Sequence, residues 1–240
     1  MNVLEKYYNT FYKKIAEIDA KGNTFSKIEN FLPELPENAK VLDIGCGFGS
    51  VSHELVKRGF DVYGIELNED AKAELKVKGI KVLENDISKT FAKIVERFDL
   101  ILLLDILEHI FDPLFLIKEA CSVLNNDGQM IISVPLYFDL IDRFRILFTG
   151  SIISYDNICY GRELYNKFRS YNYDHIRFFR PKDIFEMCAA LGLKMQKYQY
   201  SPFCGTGVIT KVLRKILVNK YTLNIAPGLF AHGMMVRVKK

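Results

Sequence analysis

Residues 41–49 set out the side chains that a nucleoside ligand needs. Val41, Leu42 and Ile44 are the apolar positions of a buried strand, and Asp43 lies near its C-terminal end. Gly45, Gly47 and Gly49 then remove three side chains, which lets the backbone turn tightly and lie against a ligand. Further on, residues 61–66 read as a second short strand ending in Glu66. A carboxylate at the tip of a second parallel strand can accept both hydroxyls of a ribose. A NAD-binding chain carries the same acid, so Glu66 points to a nucleoside without choosing the cofactor; a solvated carboxylate at a strand end is the plainer alternative. The dinucleotide fingerprint G-x-G-x-x-G is not met, because its third glycine falls on Ser50.

Proton transfer needs a different kind of side chain, and the chain has four histidines. Imidazole ionises near neutrality and so suits a base. His109 follows the fourth predicted strand, and His175 lies in the segment Asp174-His-Ile-Arg-Phe-Phe-Arg-Pro181. These two are the candidate bases, with a structural His175 capped by Asp174 as the alternative for the second. His53 falls in the first predicted helix and His232 near the terminal strand, and both rank lower. Cys46 sits inside the glycine loop, where a small packing residue is the expected role rather than a nucleophile.

These residues must be held by alternating strands and helices, which predicts an α/β fold with a mostly parallel sheet. A third strand at residues 80–84 runs into Asp86 and Ile87. The fourth, residues 98–105, is an apolar run of the kind buried on both faces. Asp112 and Pro113 can open a helix reaching about Leu124, and Asn125–Gly128 reads as a turn before a fifth strand at residues 129–135. Residues 136–172 form an aromatic-rich insertion in which Leu136, Leu140, Phe144, Leu147 and Phe148 fall on one helical face. A helix from Lys182 to Leu191, an edge strand from Leu193 to Tyr200 and a closing strand from Gly233 to Lys239 complete the pattern.

From about residue 40 to 135 the succession strand–D-x-G-x-G-x-G, strand–E, strand–D, strand–D-x-x-E-H, N-x-D-G–strand resembles the class I S-adenosylmethionine (SAM) dependent methyltransferases. The resemblance implies a Rossmann-like seven-stranded sheet flanked by helices, with a reversed terminal hairpin, an inserted lid and N-terminal helices. It implies cofactor contacts at Asp43, Gly45, Cys46, Gly47, Gly49, Glu66, Leu67, Asp86, Ile87 and Asp105, with Asp86 at the adenine amino group. SAM is then the cofactor, S-adenosylhomocysteine the product, and His109 and His175 the catalytic candidates. The segment around His175 resembles the H-x-R-F stretch that leads into the last helix of many small-molecule methyltransferases. At Asp105, Glu108 and His109 the chain also resembles the metal-dependent ubiquinone-pathway O-methyltransferases, with Asp105 replacing the first Glu of E-x-x-E-H. No resident metal is expected; Mg²⁺ on these three residues is the alternative.

One domain is expected over residues 1–240: a helical cap to 38, a cofactor-binding core over 39–135, an acceptor lid over 136–180, and C-terminal helices and strands over 181–240. Tyr7, Tyr8, Phe11 and Tyr12 of the cap are expected to pack on the sheet or line the acceptor pocket. The 240 residues, 49% of them apolar, suffice for one large core. A net charge of +4 is no footprint for nucleic acid, and no N-P-P-Y tetrad follows strand four. Five cysteines without C-x-x-C spacing fit a reducing compartment, and with no signal peptide or membrane span the expected location is cytoplasmic. A basic amphipathic helix at residues 208–217 leaves peripheral membrane contact open. The expected reaction is methylation, on oxygen, of a small-molecule, glycan or lipid-linked acceptor. A catalytically silent SAM-binding protein and a dinucleotide-dependent oxidoreductase are the alternatives.

Overall fold

The computed structural model describes residues 25–150, 175–202, 212 and 216–240. Tyr7, Tyr8, Phe11 and Tyr12 of the N-terminal cap, residues 151–174 of the insertion with Asp174 and Cys159, Cys204, and most of the basic helix at 208–217 lie outside the described residues.

Seven strands form one sheet: β1 Lys40–Ile44, β2 Asp61–Ile65, β3 Lys81–Val82, β4 Phe98–Leu104, β5 Leu124–Pro135, β6 Lys194–Pro202 and β7 Ala231–Lys239. Their order is β3-β2-β1-β4-β5-β7-β6. β1 runs parallel to both β2 and β4, with Ile44 opposite Ile65 on one side and Leu103 on the other. β7 is antiparallel to β5 and β6, which is the reversed terminal hairpin. The helices are α1 Phe25–Glu29, α2 Ser50–Lys57, α3 Glu69–Val77, α4 Pro113–Val123, α5 Leu140–Thr149, α6 Pro181–Ala190, α7 Lys220–Ile225 and α8 Pro227–Phe230.

The central strands are mostly apolar because both sheet faces are covered. Side chains alternate across a strand. Leu42, Ile44, Ile101 and Leu103 accordingly join one buried cluster with Leu116, Ile117 and Ala120 of α4. Val41, Leu100 and Leu102 join the opposite cluster, with Val51 and Leu55 of α2 and Leu75 of α3. Local chemistry sets the helix starts: Asn68 accepts from the Ala71 amide, and Asp112 accepts from Phe115 with Pro113 in the first turn.

Three details differ from the sequence-based expectation. β3 is two residues long, because only Tyr63 and Gly64 of β2 pair with it. β5 begins at Leu124, so the expected turn at 125–128 is absorbed as an irregularity: Phe98 pairs with Leu124, and the register resumes at Leu100–Gln129. Gly128 permits this, since a Cβ there would stand 2.8 Å from Leu124 Cγ and 2.9 Å from the Phe98 carbonyl oxygen. The expected apolar face of the insertion helix is also divided. Leu136 is buried ahead of the helix, whereas Phe144, Leu147 and Phe148 of α5 are exposed.

Candidate active site

The glycine loop leaves the C-terminal tip of β1 with Gly45, Gly47 and Gly49 all at positive φ (74°, 54° and 75°). Glycine holds that backbone without strain. At Gly45 space also forbids a side chain, because a Cβ would lie 2.7 Å from Ile106 Cδ1. The same contact places the loop against the residues that follow β4, next in the sheet. The Gly45 amide donates to the Ile65 carbonyl (2.8 Å), which ties the loop to the tip of β2.

Glu66, 8% exposed, holds this corner together. Its Oε2 accepts from the Gly47 amide (3.0 Å), and its Oε1 accepts from the Leu67 and Asn68 amides (2.7 and 2.8 Å). The carboxylate is therefore fixed by backbone donors on both flanks before any ligand arrives. Leu67 stands largely exposed beside it. Asp43 is buried and accepts from Ser52 Oγ (2.6 Å), linking the strand tip to the first turn of α2. Cys46 packs inward, with its Sγ where a Cβ on Gly64 would need to be (2.7 Å). Burial, with the Asp43 and Glu66 carboxylates nearby, pushes its thiol well above the usual range, which suits packing rather than nucleophilic attack.

Past the short β3, Asp86 accepts from the Ser88 hydroxyl (2.6 Å) and amide (2.9 Å) and pairs with Lys89 (3.1 Å). The Ser88 hydroxyl and amide, with Lys89 adding to them, hold its carboxyl down at about 2. Ile87 beside it is buried. Together, the left-handed glycine turn and the braced Glu66 form a cradle that fits the nucleoside of SAM.

A second constellation lies beyond β4. Asp105 has a left-handed backbone (φ 50°), its amide donates to the Ser133 carbonyl (3.0 Å), and its Oδ1 accepts from Ser133 Oγ (2.8 Å). The chain then folds into a short turn, Leu107–His109. Glu108 is 1% exposed. Its carbonyl accepts from the amides of Ile176 (2.8 Å) and Arg177 (3.1 Å), and Leu136 pairs with Phe179. Those contacts bind the segment at 175–180 across the end of the sheet and bring His175 to His109, with ring centroids 4.8 Å apart. Glu108 Oε1 lies 4.0 Å from His109 Nε2 and 3.9 Å from His175 Nε2.

His175 Nδ1 shares a hydrogen bond with the Tyr137 hydroxyl, and the direction of that bond sets its tautomer. Burial, and then His109 beside it, pushes the His175 pKa down to about 4. The ring is neutral at pH 7, and the unfolded chain binds the proton that the folded site refuses. Titration of the ring protons by NMR is expected to place His175 near pH 4. Its contribution to stability is present above about 6.5, the ordinary histidine value, and is lost as pH falls from there through 4.

The structure thus brings His109 and His175 together but leaves the implied Mg²⁺ trio unassembled. Asp105 is tied to Ser133, and the ligand atoms that gather within 4.8 Å of one another belong to Glu108, His109 and His175. Oxygen-rich coordination by Asp105 and Glu108 does not fit this arrangement. His53 Nδ1 lies 3.3 Å from the Lys78 carbonyl oxygen, and His232 Nδ1 lies 3.3 Å from Asp139 Oδ2; neither histidine is part of this cluster. Tyr137 and Ile106 were not singled out in the sequence. Tyr137's place just after the fifth strand, at the same edge as the other strand tips, was the available signal.

Residues 16–198 match the family described as "Methyltransferase domain". The ubiquinone biosynthesis O-methyltransferase of Actinobacillus pleuropneumoniae is 27% identical over 177 residues, 68% of this chain and 70% of that protein. Its counterpart in Coxiella burnetii is 29% identical over 161 residues, 65% of this chain and 63% of that protein, so this chain spans under two thirds of its length. The TehB-like SAM-dependent methyltransferase of Corynebacterium glutamicum shares the fold, with a TM-score of 0.59 at 17% identity over the whole of both chains. These matches remove the ground for a dinucleotide-dependent oxidoreductase. The chain belongs to the methyltransferase domain family and is a class I SAM-dependent methyltransferase, with SAM as its methyl donor.

Proposed function

We propose that this enzyme methylates a hydroxyl oxygen of a small molecule, with the acceptor held at the Glu108–His109–His175 cluster. The observation that carries this reading is the position of that cluster: it follows β4 directly, and Ile106 packs on the glycine loop that would cradle the cofactor. The O-methyltransferase relatives point to the same class of acceptor.

Bound SAM supplies a methyl carbon made electrophilic by its sulfonium, and transfer is an in-line displacement. Glu66 would hold the ribose hydroxyls, the glycine loop would pass close to the donor, and Asp86 and Ile87 would receive the adenine. The acceptor oxygen must be held about 3–3.5 Å from the methyl carbon, and positioning of that quality can supply much of the rate. The hydroxyl proton goes to an imidazole, the neutral ring of His175 or else His109, and from there to water. Tyr137 orients His175: with Nδ1–H donating to the Tyr137 oxygen, Nε2 presents its lone pair to the cluster. Glu108 favours the imidazolium as it forms. The core over residues 39–135 would bind the cofactor, with residues 136–180 over the acceptor.

Incubation with methyl-labelled SAM and a panel of phenols, catechols, sugars and polyprenyl-linked hydroxyl compounds tests the reading. Label is expected on oxygen of a small hydroxylated acceptor. Label appearing only on amines would overturn the oxygen assignment. Label only on sugars or polyprenyl-linked compounds would move the acceptor class to glycans or lipid intermediates. S-adenosylhomocysteine binding with no transfer to any class would favour a silent SAM-binding protein.

A further inference from the structure

We propose that Arg177 anchors the acceptor through an anionic group, so that the enzyme selects hydroxyl compounds that also carry a carboxylate or a phosphate. The proposal rests on the acceptor position assigned in the preceding section and adds the charge of the acceptor to it.

Arg177 is delivered to the same side of its segment as His175. Burial alternates along 175–179: His175 and Arg177 are partly buried and Phe179 is buried, whereas Ile176 and Phe178 stand exposed. The Arg177 amide donates to the Glu108 carbonyl (3.1 Å), and its Nη2 donates to the Phe111 carbonyl. The side chain thus spans the stretch from Glu108 to Phe111, which carries His109. Its guanidinium carbon lies 5.7 Å from the centroid of the Phe111 ring, so the group is held on one edge by a carbonyl and on one face by an aromatic ring. Cα atoms two residues apart stand at most about 7 Å from each other, so one small molecule can reach both His175 and Arg177.

The charge of Arg177 is not spent within the protein. Among the described residues no carboxylate pairs with it, whereas Arg180 pairs with Asp183 (2.7 Å) and Arg58 with Glu29 (2.5 Å). A guanidinium offers five N–H donors, and a neutral carbonyl takes one of these. The remaining fork matches the paired oxygens of a carboxylate or phosphate. His175 is neutral at pH 7 and offers an anion no charge of its own, so the cation beside it is the group that can hold one. A hydroxyl at the imidazoles and an anion at Arg177 would fix the acceptor at two points, which is what an in-line transfer needs.

The test is a calorimetric titration of the full chain, saturated with S-adenosylhomocysteine, with tyrosol, tyrosol phosphate and para-hydroxyphenylacetate, and with the corresponding meta compounds. One anion at least is expected to bind the parent about tenfold or more tightly than its neutral counterpart, and the tighter anion distinguishes phosphate from carboxylate. In Arg177→Gln this preference is expected to fall to within about threefold, and Arg177→Lys, which keeps the charge without the fork, should be intermediate. Arg180→Gln, whose parent residue is spent on Asp183, should keep the full preference. With methyl-labelled SAM, Arg177→Gln should raise KM for the anionic acceptor with kcat little changed. An arginine that merely braces the segment would instead displace His175 on removal and lower kcat for neutral and anionic acceptors alike. S-adenosylhomocysteine titration of each variant reports that it is folded. The proposal is overturned by equal binding of neutral and anionic compounds to a parent that binds S-adenosylhomocysteine, by an undiminished preference in Arg177→Gln, or by that common fall in kcat. Anion binding that depends on Arg177, with no methyl transfer to any hydroxyl, would sink the oxygen-acceptor assignment and leave the anchor standing.

Discussion

Glu66→Ala is expected to weaken S-adenosylhomocysteine binding by about 100-fold in a calorimetric titration. Each hydrogen bond to a charged acceptor contributes about 1.5–3 kcal/mol, and a ribose presents two hydroxyls to one carboxylate. Loss of about 3 kcal/mol corresponds to roughly two powers of ten in Kd. The effect has a second source, because the carboxylate already ties the Gly47, Leu67 and Asn68 amides together, and alanine frees the loop as well as the ligand contact. Glu66→Gln separates the two. Its amide oxygen can still accept from one flank of the loop, so the fold is held more nearly as in the parent while the charged contact is gone. A Kd within threefold of the parent in both variants would mean that the ribose is held elsewhere.

His175→Ala is expected to lower kcat by about 10² to 10⁴, the usual scale for removal of a general base, with the KM for SAM little changed. The split follows from position: His175 belongs to the cluster after β4, whereas the proposed cofactor cradle would be built from the tips of β1 and β2. Tyr137→Phe keeps the ring and loses only its orienting partner, so its kcat should fall between those of the parent and of His175→Ala. An unchanged kcat in His175→Ala on a confirmed acceptor would pass the role to His109. A raised KM for SAM at unchanged kcat would place His175 in the cofactor site instead.

The division of labour between these two residues mirrors what was readable in the chain. Glu66 was legible because its placement is local: a short apolar strand, a carboxylate at its end and a glycine loop upstream are consecutive features of one strand–helix–strand unit. The burial of β4 on both faces could be read in the same way, since a strand covered on both sides has no polar alternation to show. The three-residue Mg²⁺ reading at Asp105, Glu108 and His109 failed for the complementary reason. Adjacency along the chain said nothing of the left-handed turn at Asp105, nor of its carboxylate closing on Ser133, a residue of the neighbouring strand.

Sequence by itself determined the fold class and the placement of Glu66 at a strand tip, because hydrophobic period, glycine spacing and strand-tip acids are set by residues close in the chain, while the resemblance to the class I methyltransferases supplied the cofactor. Tertiary structure decided which side chains gather at the end of the sheet beyond β4. His175 reaches Glu108 and His109 only because backbone amides at 176 and 177 bind the Glu108 carbonyl and Phe179 pairs with Leu136. Those contacts join segments far apart in sequence, and no local pattern of residue types encodes them.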